Sequence, residues 1–383
     1  MELYYTGKKT VCEILNHTIA ANVKGDIITK NLLIKGDNFS VMQNLRKLYS
    51  GKIDLIYIDP PFATNQAFTM GTERVSTISK SKNDTVAYQD NLTGSAYLEF
   101  IRERLILAKE LLSDVGSIYL HIDYKIGHYI KILMDEIFGV DNFRNDITRI
   151  KCNPKNFSRK AYGNIKDMIL FYSKTKNIIW HEPKTPFTEG DKEKLFKKID
   201  KDGRAYTTIP LHAPGETKDG ATAGVFKGLK PPTGRHWRCS PAELEKLDEE
   251  GLIEWSASGN PRKIIYADER EGKKMQDIWE YKDPSYPNYP TEKNLDLLKL
   301  IITASSHKNS IVLDFFCGSG TTLVTAEELG RNWIGIDQSE EAIKIVKKKL
   351  NDREKELFSR LEYSYLEFNE RSVSIASLTQ EIA

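Results

Sequence analysis

The chain has 383 residues, 40% of them hydrophobic and 29% charged, with a formal net charge of +2, enough to bury a core in one large domain with an insertion or in two domains. It has no run of about 18 apolar residues, and the start Met1-Glu2-Leu3-Tyr4-Tyr5 lacks the basic-then-apolar order of a signal peptide, so the sequence predicts a soluble, cytoplasmic protein without membrane contact. Cys12, Cys152, Cys239 and Cys317 form no C-x-x-C pair, and neither H-E-x-x-H nor G-x-x-x-x-G-K-[ST] occurs, which argues against a disulfide framework, a bound metal and a P-loop motor.

Strand-like runs alternate with helical patterns over residues 28–150, the signature of βαβ units around a parallel sheet. The residues Asn31-Leu32-Leu33-Ile34-Lys35 predict a short strand ending at Gly36-Asp37-Asn38, followed by a helix over 40–48. A buried strand is expected at Ile53-Asp54-Leu55-Ile56-Tyr57-Ile58, running straight into Asp59-Pro60-Pro61-Phe62. Apolar spacing then predicts a helix over 96–112, a strand over 116–122 and a helix over 125–138.

Residues 151–288 lose this rhythm and are rich in proline, glycine and charge, which predicts an inserted, irregular region. From Arg149 to Arg238 there are 20 Lys/Arg against 9 Asp/Glu, a surplus that suits a polyanion. Mixed runs such as Asp191-Lys192-Glu193-Lys194 also look like an ordinary solvated helix, but what flanks the segment favours the polyanion. Regular α/β pattern returns over 289–350, with helices over 294–305, 321–329 and 340–349 and strands over 310–315 and 332–336. Residues 351–383 carry no readable pattern and are set apart as a tail of unknown role.

Two strand-to-helix turns carry chemistry. In Asp59-Pro60-Pro61-Phe62 the prolines fix the turn and donate no hydrogen bond. The Asp59 carboxylate and the Pro60 carbonyl thus form an acceptor-only pair, whose natural complement is an –NH2 group held with its lone pair turned to an electrophile. Pro61 stiffens the turn, and Phe62 offers a face for an extruded base. The second turn, Asp314-Phe315-Phe316-Cys317-Gly318-Ser319-Gly320-Thr321-Thr322, opens a helix, and Asp337 follows Gly318 by nineteen residues at a strand end, where an acid can hold two ribose hydroxyls. The third glycine of a dinucleotide motif is missing. A smaller zwitterionic ligand fits better, its carboxylate on the helix start and its ammonium facing Asp314. S-adenosylmethionine answers that description.

Together, Asp59-Pro60-Pro61-Phe62 and Phe316-Cys317-Gly318-Ser319-Gly320 resemble the catalytic and cofactor motifs of amino-methylating DNA methyltransferases. Their order, catalytic motif first, resembles the β class, which includes the modification subunits of type III restriction systems and stand-alone adenine enzymes. Gly36-Asp37-Asn38, Gly234-Arg235-His236-Trp237-Arg238, Gln276-Asp277-Ile278-Trp279 and Tyr289-Pro290-Thr291-Glu292-Lys293 extend the likeness to nearly the whole chain apart from the tail.

The resemblance implies a Rossmann-like S-adenosylmethionine-dependent fold with circularly permuted motif order. Its catalytic half is residues 28–150, its target-recognition insertion 151–288 and its cofactor-binding half 289–350. It implies further that Asp37 lies near the cofactor adenine, that Asp337 holds the ribose, that Phe316, Gly318, Gly320 and Thr321 form the pocket, and that Thr291 and Lys293 cover the methionine end. The expected partner is double-stranded DNA, with a homodimer and a separate restriction endonuclease left open.

Departures are local: the stretch from Asn164 to Lys174 resembles a hairpin near the base pocket but lacks the usual His-Glu or His-Asp start, and Phe62 stands where Tyr is commoner. No cysteine follows a proline, which disfavours cytosine-C5 methylation. Cytosine-N4 enzymes of this class usually carry Ser at the Asp59 position, which favours N6 of adenine. RNA or protein amine methylation, a nicotinamide-dependent oxidoreductase and a non-catalytic DNA-binding module remain as alternatives.

Overall fold

Apolar runs too continuous for a one-sided strand, such as Ile53–Ile58, form the centre of a ten-stranded sheet in the computed structural model. The structure describes residues 2–17, 21–61, 67–70, 75–76, 85–89, 94–154, 160–283, 293–357 and 361–370. Phe62 and Thr291 lie outside the described residues. Two units are present: Met1–His181 with Gln276–Ala383, and Glu182–Met275.

The sheet of the larger unit contains β1 (Ala21–Lys24), β2 (Leu32–Lys35), β3 (Ile53–Ile58), β4 (Leu112–Ile122), β5 (Phe143–Ile150), β6 (Lys166–Ser173), β7 (Ile278–Trp279), β8 (Ile311–Asp314), β9 (Asn332–Asp337) and β10 (Ser364–Glu370). Their order is β1-β10-β2-β9-β8-β3-β4-β6-β5-β7. All strands from β10 through β4 pair in parallel, whereas β6 runs antiparallel to both β4 and β5. The helices are α1 (Val11–Asn16), α2 (Asn38–Tyr49), α3 (Gly94–Leu111), α4 (Gly127–Phe138), α5 (Leu295–Ser305), α6 (Thr321–Glu328) and α7 (Glu340–Leu357). Their apolar faces pack with the strands into a core holding Ile34, Ile56, Leu105, Leu120, Leu133, Leu313 and Ile334. The predicted α/β, Rossmann-like arrangement with the catalytic strand ahead of the cofactor strand is the one observed.

The boundaries differ from those predicted at two places. Residues 151–181 do not go with the insertion, because Lys166–Ser173 is a strand buried from Asp167 onward and paired on both edges. Residues 276–283 also return to the sheet, through β7 on β5. Part of the unpatterned tail is structured too: in β10, Ser364 and Leu366 are buried, and the strand fits between β1 and β2. Its alternation spans only seven residues, short enough to pass for irregular chain.

The smaller unit is built on a four-stranded antiparallel sheet of Lys198–Ile199, Ala205–Pro210, Pro261–Tyr266 and Ile253–Trp255. A small core of Leu211, Phe226, Trp237 and Leu244 supports it. The mixed-charge run is a short helix, Glu189–Leu195, begun by a reciprocal cap between Thr188 and Asp191. Glu182–Met275 carries 18 Lys/Arg against 17 Asp/Glu. The part of the basic surplus that falls in 182–238, 12 Lys/Arg against 8 Asp/Glu, is therefore balanced by acids further along, as in Lys198 on Glu254, Arg204 on Asp268 and Glu269, and Lys227 on Asp248, whereas residues 149–181, with 8 Lys/Arg against 1 Asp/Glu, keep theirs in the larger unit.

Among the described residues no helix is long and apolar enough to cross a membrane. One packing contact fixes how closely α6 approaches the sheet: a Cβ on Gly335 would lie 2.3 Å from Leu323 Cδ1 and 3.0 Å from Cδ2. Gly335→Ala is expected to cost about 1–3 kcal/mol by overpacking, read as a lower denaturant midpoint at unchanged slope.

Candidate active site

The parallel pairing of β8 with β3 sets Leu313 opposite Ile56. Chain leaving β8 passes through α6 to β9 on one side, and chain leaving β3 passes through α3 to β4 on the other. The two turns diverge, opening a crevice at the carboxyl ends of the strands, where open α/β sheets bind ligands. Lys35 pairs with Asp337 across β2 and β9, and so Asp37 reaches the same edge.

The glycine turn after β8 is held by carboxylates. Asp314 Oδ1 accepts from the Phe316 N–H at 3.0 Å and Oδ2 from the Thr322 hydroxyl at 2.6 Å. Only 3% of Asp314 is exposed, and both its oxygens brace the turn. Gly318 (φ 48°) and Gly320 (φ 74°) take left-handed conformations that a side chain would strain, and a Cβ on Gly320 would meet Val346 Cγ2 at 2.7 Å. Asp337 accepts the N–H groups of Gly318 at 2.9 Å and Ser339 at 2.8 Å, one on each oxygen. Burial raises its carboxyl above the ordinary range.

Asp37 caps α2 through Ser40 and pairs with Arg104 Nη2 at 3.0 Å. The Arg104 guanidinium lies 3.6 Å over the Phe100 ring and donates from Nε to Asn38 Oδ1, while Asn38 Nδ2 donates to the Phe315 carbonyl at 2.7 Å. Phe100 and Phe316 stand 6.0 Å apart. Asp37, Phe316, Gly318 and Asp337 thus share one edge of the crevice.

On the β3 side, Asp59 Oδ2 is 2.8 Å from Lys293 Nζ, and Oδ1 is buried with no hydrogen bond among the described residues. That oxygen faces His121 Nδ1 at 3.8 Å. His121, wholly buried on β4, meets the Tyr57 hydroxyl at 3.1 Å through Nδ1 and Asp167 Oδ2 at 3.3 Å through Nε2. Lys151 Nζ lies 2.6 Å from the other Asp167 oxygen, and Arg149 Nη1 is 3.7 Å from Oδ2. Burial opposes the Asp167 charge, yet the bonds from His121 and Lys151 hold its carboxyl well below the usual range. Burial, helped by the Lys293 charge, lowers His121. The Pro61 carbonyl accepts from the Tyr97 hydroxyl at 2.5 Å, which pins the turn after Asp59.

Asp59, Lys293 and the residues around the glycine turn are therefore brought to one edge of the sheet. Lys293, expected over the cofactor's methionine end, is found on Asp59. His121, Asp167, Tyr57, Tyr97 and Arg104 escaped the sequence reading. A signal existed for His121 and Asp167, since each is a polar residue within an apolar strand, in Ile118-Tyr119-Leu120-His121-Ile122 and Asp167-Met168-Ile169-Leu170.

A family model, N6_N4_Mtase, described as DNA methylase, matches residues 53–348, from β3 through most of α7. The chain belongs to this DNA methylase family. It is 43% identical over 333 residues to the type II methyltransferase M.EcaI of Enterobacter cloacae, covering 85% of this chain and 70% of that protein. It is 28% identical to the type III restriction-modification enzyme StyLTI Mod subunit of Salmonella typhimurium, covering 82% of this chain and 52% of that subunit. The chain thus spans about half the length of the Mod subunits it matches. Among solved structures, the M1.HpyAVI–SAM complex is 19% identical with a TM-score of 0.42, covering 83% of this chain and all of that one.

The family turn depends on an acid with an unusual charge state. Burial pushes the Asp314 carboxyl up to about 7 from an ordinary 3.8, with the charges of Asp59 and Asp337 adding to the rise and the bonds from Thr322 and Phe316 opposing it. Between those values the folded chain holds a proton that the unfolded chain releases, so this group's stabilising contribution is present below about pH 4 and lost as pH rises toward 7. Asp314→Asn removes that loss. Its stability relative to the parent chain should rise between pH 5 and pH 8 in denaturant titrations; an identical difference at both pH values would refute the titration.

Proposed function

We propose that this chain is a site-specific DNA methyltransferase that moves a methyl group from S-adenosylmethionine to N6 of adenine. The reading is carried by one juxtaposition: Asp59 at the carboxyl end of β3, beside the glycine turn after β8, in a chain of the DNA methylase family.

The residues of the turn fit the cofactor. After the peptide N–H groups of Gly318, Ser339 and Gln338, the Asp337 carboxylate still has lone-pair capacity for a ribose hydroxyl. Gly318 and Gly320 allow close backbone approach, Thr321 begins α6, and Phe316 and Asp37 flank the adenine end. Lys293 and Thr291 attend the methionine end, and Asp314 acts by bracing the turn. When bound, S-adenosylmethionine supplies a methyl group made electrophilic by its sulfonium.

Asp59 and the Pro60 carbonyl accept the two amine hydrogens, which pulls the nitrogen lone pair out of conjugation with the ring and toward that methyl group. Asp59 Oδ2 has lone pairs enough to accept an amine hydrogen beside Lys293. As positive charge develops on nitrogen, the carboxylate stabilises it by an amount on the order of several kcal/mol. Phe62 stacks on the extruded base, worth on the order of 1–3 kcal/mol. Pro61 keeps the turn rigid, and Tyr97 holds the Pro61 carbonyl. Glu182–Met275 and the basic segment 149–181 read the DNA target, which we take to be a duplex. A second copy and a separate restriction endonuclease are the further partners this reading admits.

Asp59→Ala should lower methyl transfer by a factor on the order of 10²–10³ or more while calorimetry shows unchanged S-adenosylmethionine binding; retained turnover would dismiss the site. Nucleoside analysis of modified DNA should yield N6-methyladenine. N4-methylcytosine alone would establish the second reading, cytosine-N4 methylation, in its place. DNA affinity should fall steeply with added salt as Lys/Arg contacts to phosphate release counterions, and a flat salt response would remove the phosphate-tracking role.

A further inference from the structure

Amine methylation releases a proton that needs a destination. A methylated exocyclic nitrogen must shed one N–H hydrogen, and Asp59 is the carboxylate positioned to take it. Behind Asp59 the structure holds a second acceptor. Asp59 Oδ1 is buried, takes no hydrogen bond among the described residues, and looks toward His121 Nδ1 at 3.8 Å. The opposite ring nitrogen of His121 is 3.3 Å from Asp167, an anion kept by Lys151 and Arg149.

We propose that His121 is a proton-relay residue acting through Asp59: it receives the hydrogen lost by the substrate nitrogen and holds it as an imidazolium between Asp59 and Asp167. This rests on the amine-methylation reading above and concerns the same site.

The tautomer follows from the partners. With Nε2–H donated to Asp167, Nδ1 is a bare acceptor that the Tyr57 hydroxyl caps at 3.1 Å. The transfer then balances. The N–H bond of the methylated amine breaks and its proton goes to the outward oxygen of Asp59. Rotation about the Asp59 Cβ–Cγ bond presents that O–H to Nδ1, and the proton passes to His121, restoring the Asp59 carboxylate. The Tyr57 hydroxyl turns its hydrogen away from Nδ1 as the proton arrives. The imidazolium sits between two carboxylates, and its proton returns to water through Asp59 once product has left.

Every charged group facing the ring bears on the balance. Asp59 from the turn after β3 and Asp167 from β6 favour the imidazolium, whereas Lys293 ahead of α5 and burial disfavour it. Lys151 on Asp167 Oδ1 and Arg149 near Oδ2 keep that carboxylate ionised. A ring so balanced is neutral when it must accept a proton and is stabilised once it has done so. A histidine serving only as packing would be satisfied by Asp167 on one nitrogen and the Tyr57 hydroxyl on the other, and would need no second carboxylate facing Nδ1.

The test measures single-turnover methyl transfer to DNA across about pH 5 to 9, where a protonated His121 cannot accept and an acid limb results. His121→Asn should lose that limb and drop the plateau by about tenfold or more. Tyr57→Phe removes the donor that favours bare Nδ1, and should move the limb to higher pH. Independently of turnover, the NMR titration of His121 in ring-labelled protein should shift to lower pH in Asp59→Asn, because the facing carboxylate charge is gone. If His121→Asn does not fold, the other two variants still decide. A parental limb and plateau in His121→Asn, an unmoved limb in Tyr57→Phe, or a His121 titration indifferent to Asp59→Asn would overturn the relay while leaving amine methylation standing. A parent chain that binds S-adenosylmethionine yet methylates no DNA would overturn the reading of the site itself.

Discussion

The parallel pairing of β8 with β3 is the constraint on which the site depends. One strand ends in the glycine turn and the other in Asp59, and neither turn is close to the other in sequence. Side by side, with their following helices led to opposite sides, the two strands make a crevice that neither could form alone. The wider sheet enlarges the same edge: β9 adds Asp337 and β2 adds Asp37.

Charge within this edge is handled by burial and pairing together. Asp314 and Asp337 are raised by burial, and both use their oxygens to hold peptide N–H groups of the turn. Asp167 is also buried but is held low, because His121 and Lys151 supply bonds that outweigh the desolvation. Acids of one sheet are thus shifted in opposite directions. Burial raises the first two against the bonds of the turn, and an ion network lowers the third.

The alternating α/β architecture was legible because its strands are apolar throughout and its helices keep a strict spacing. Predicted strands at 53–58 and 332–336 agree with β3 and β9 to within a residue. The two motif turns were legible for the same reason, since prolines and glycines punctuate strand ends. Three kinds of feature were not. Strand β6 was recognised as a distinct stretch but placed in the insertion, because antiparallel pairing across a sheet leaves no local mark of which sheet it joins. The balance of charge in Glu182–Met275 depends on acids beyond the window in which the basic surplus was counted. Side-chain relations such as Lys293 on Asp59 and His121 behind it join positions far apart in the chain and become visible only in three dimensions.

The place of β8 and β10 in the sheet also bears on the order in which the enzyme can be made. Strand β3 is synthesised early, yet its partner on the cofactor side is β8, and β2 gains one neighbour from β9 and the other from β10. On the ribosome the early strands therefore wait with apolar edges unpaired until residues beyond 311 emerge. A nascent chain holding the Asp59 turn has half a crevice and no cofactor pocket. Catalytic competence should thus arrive late in synthesis, and the interval before it is when a chaperone or a protease has the best access to this protein.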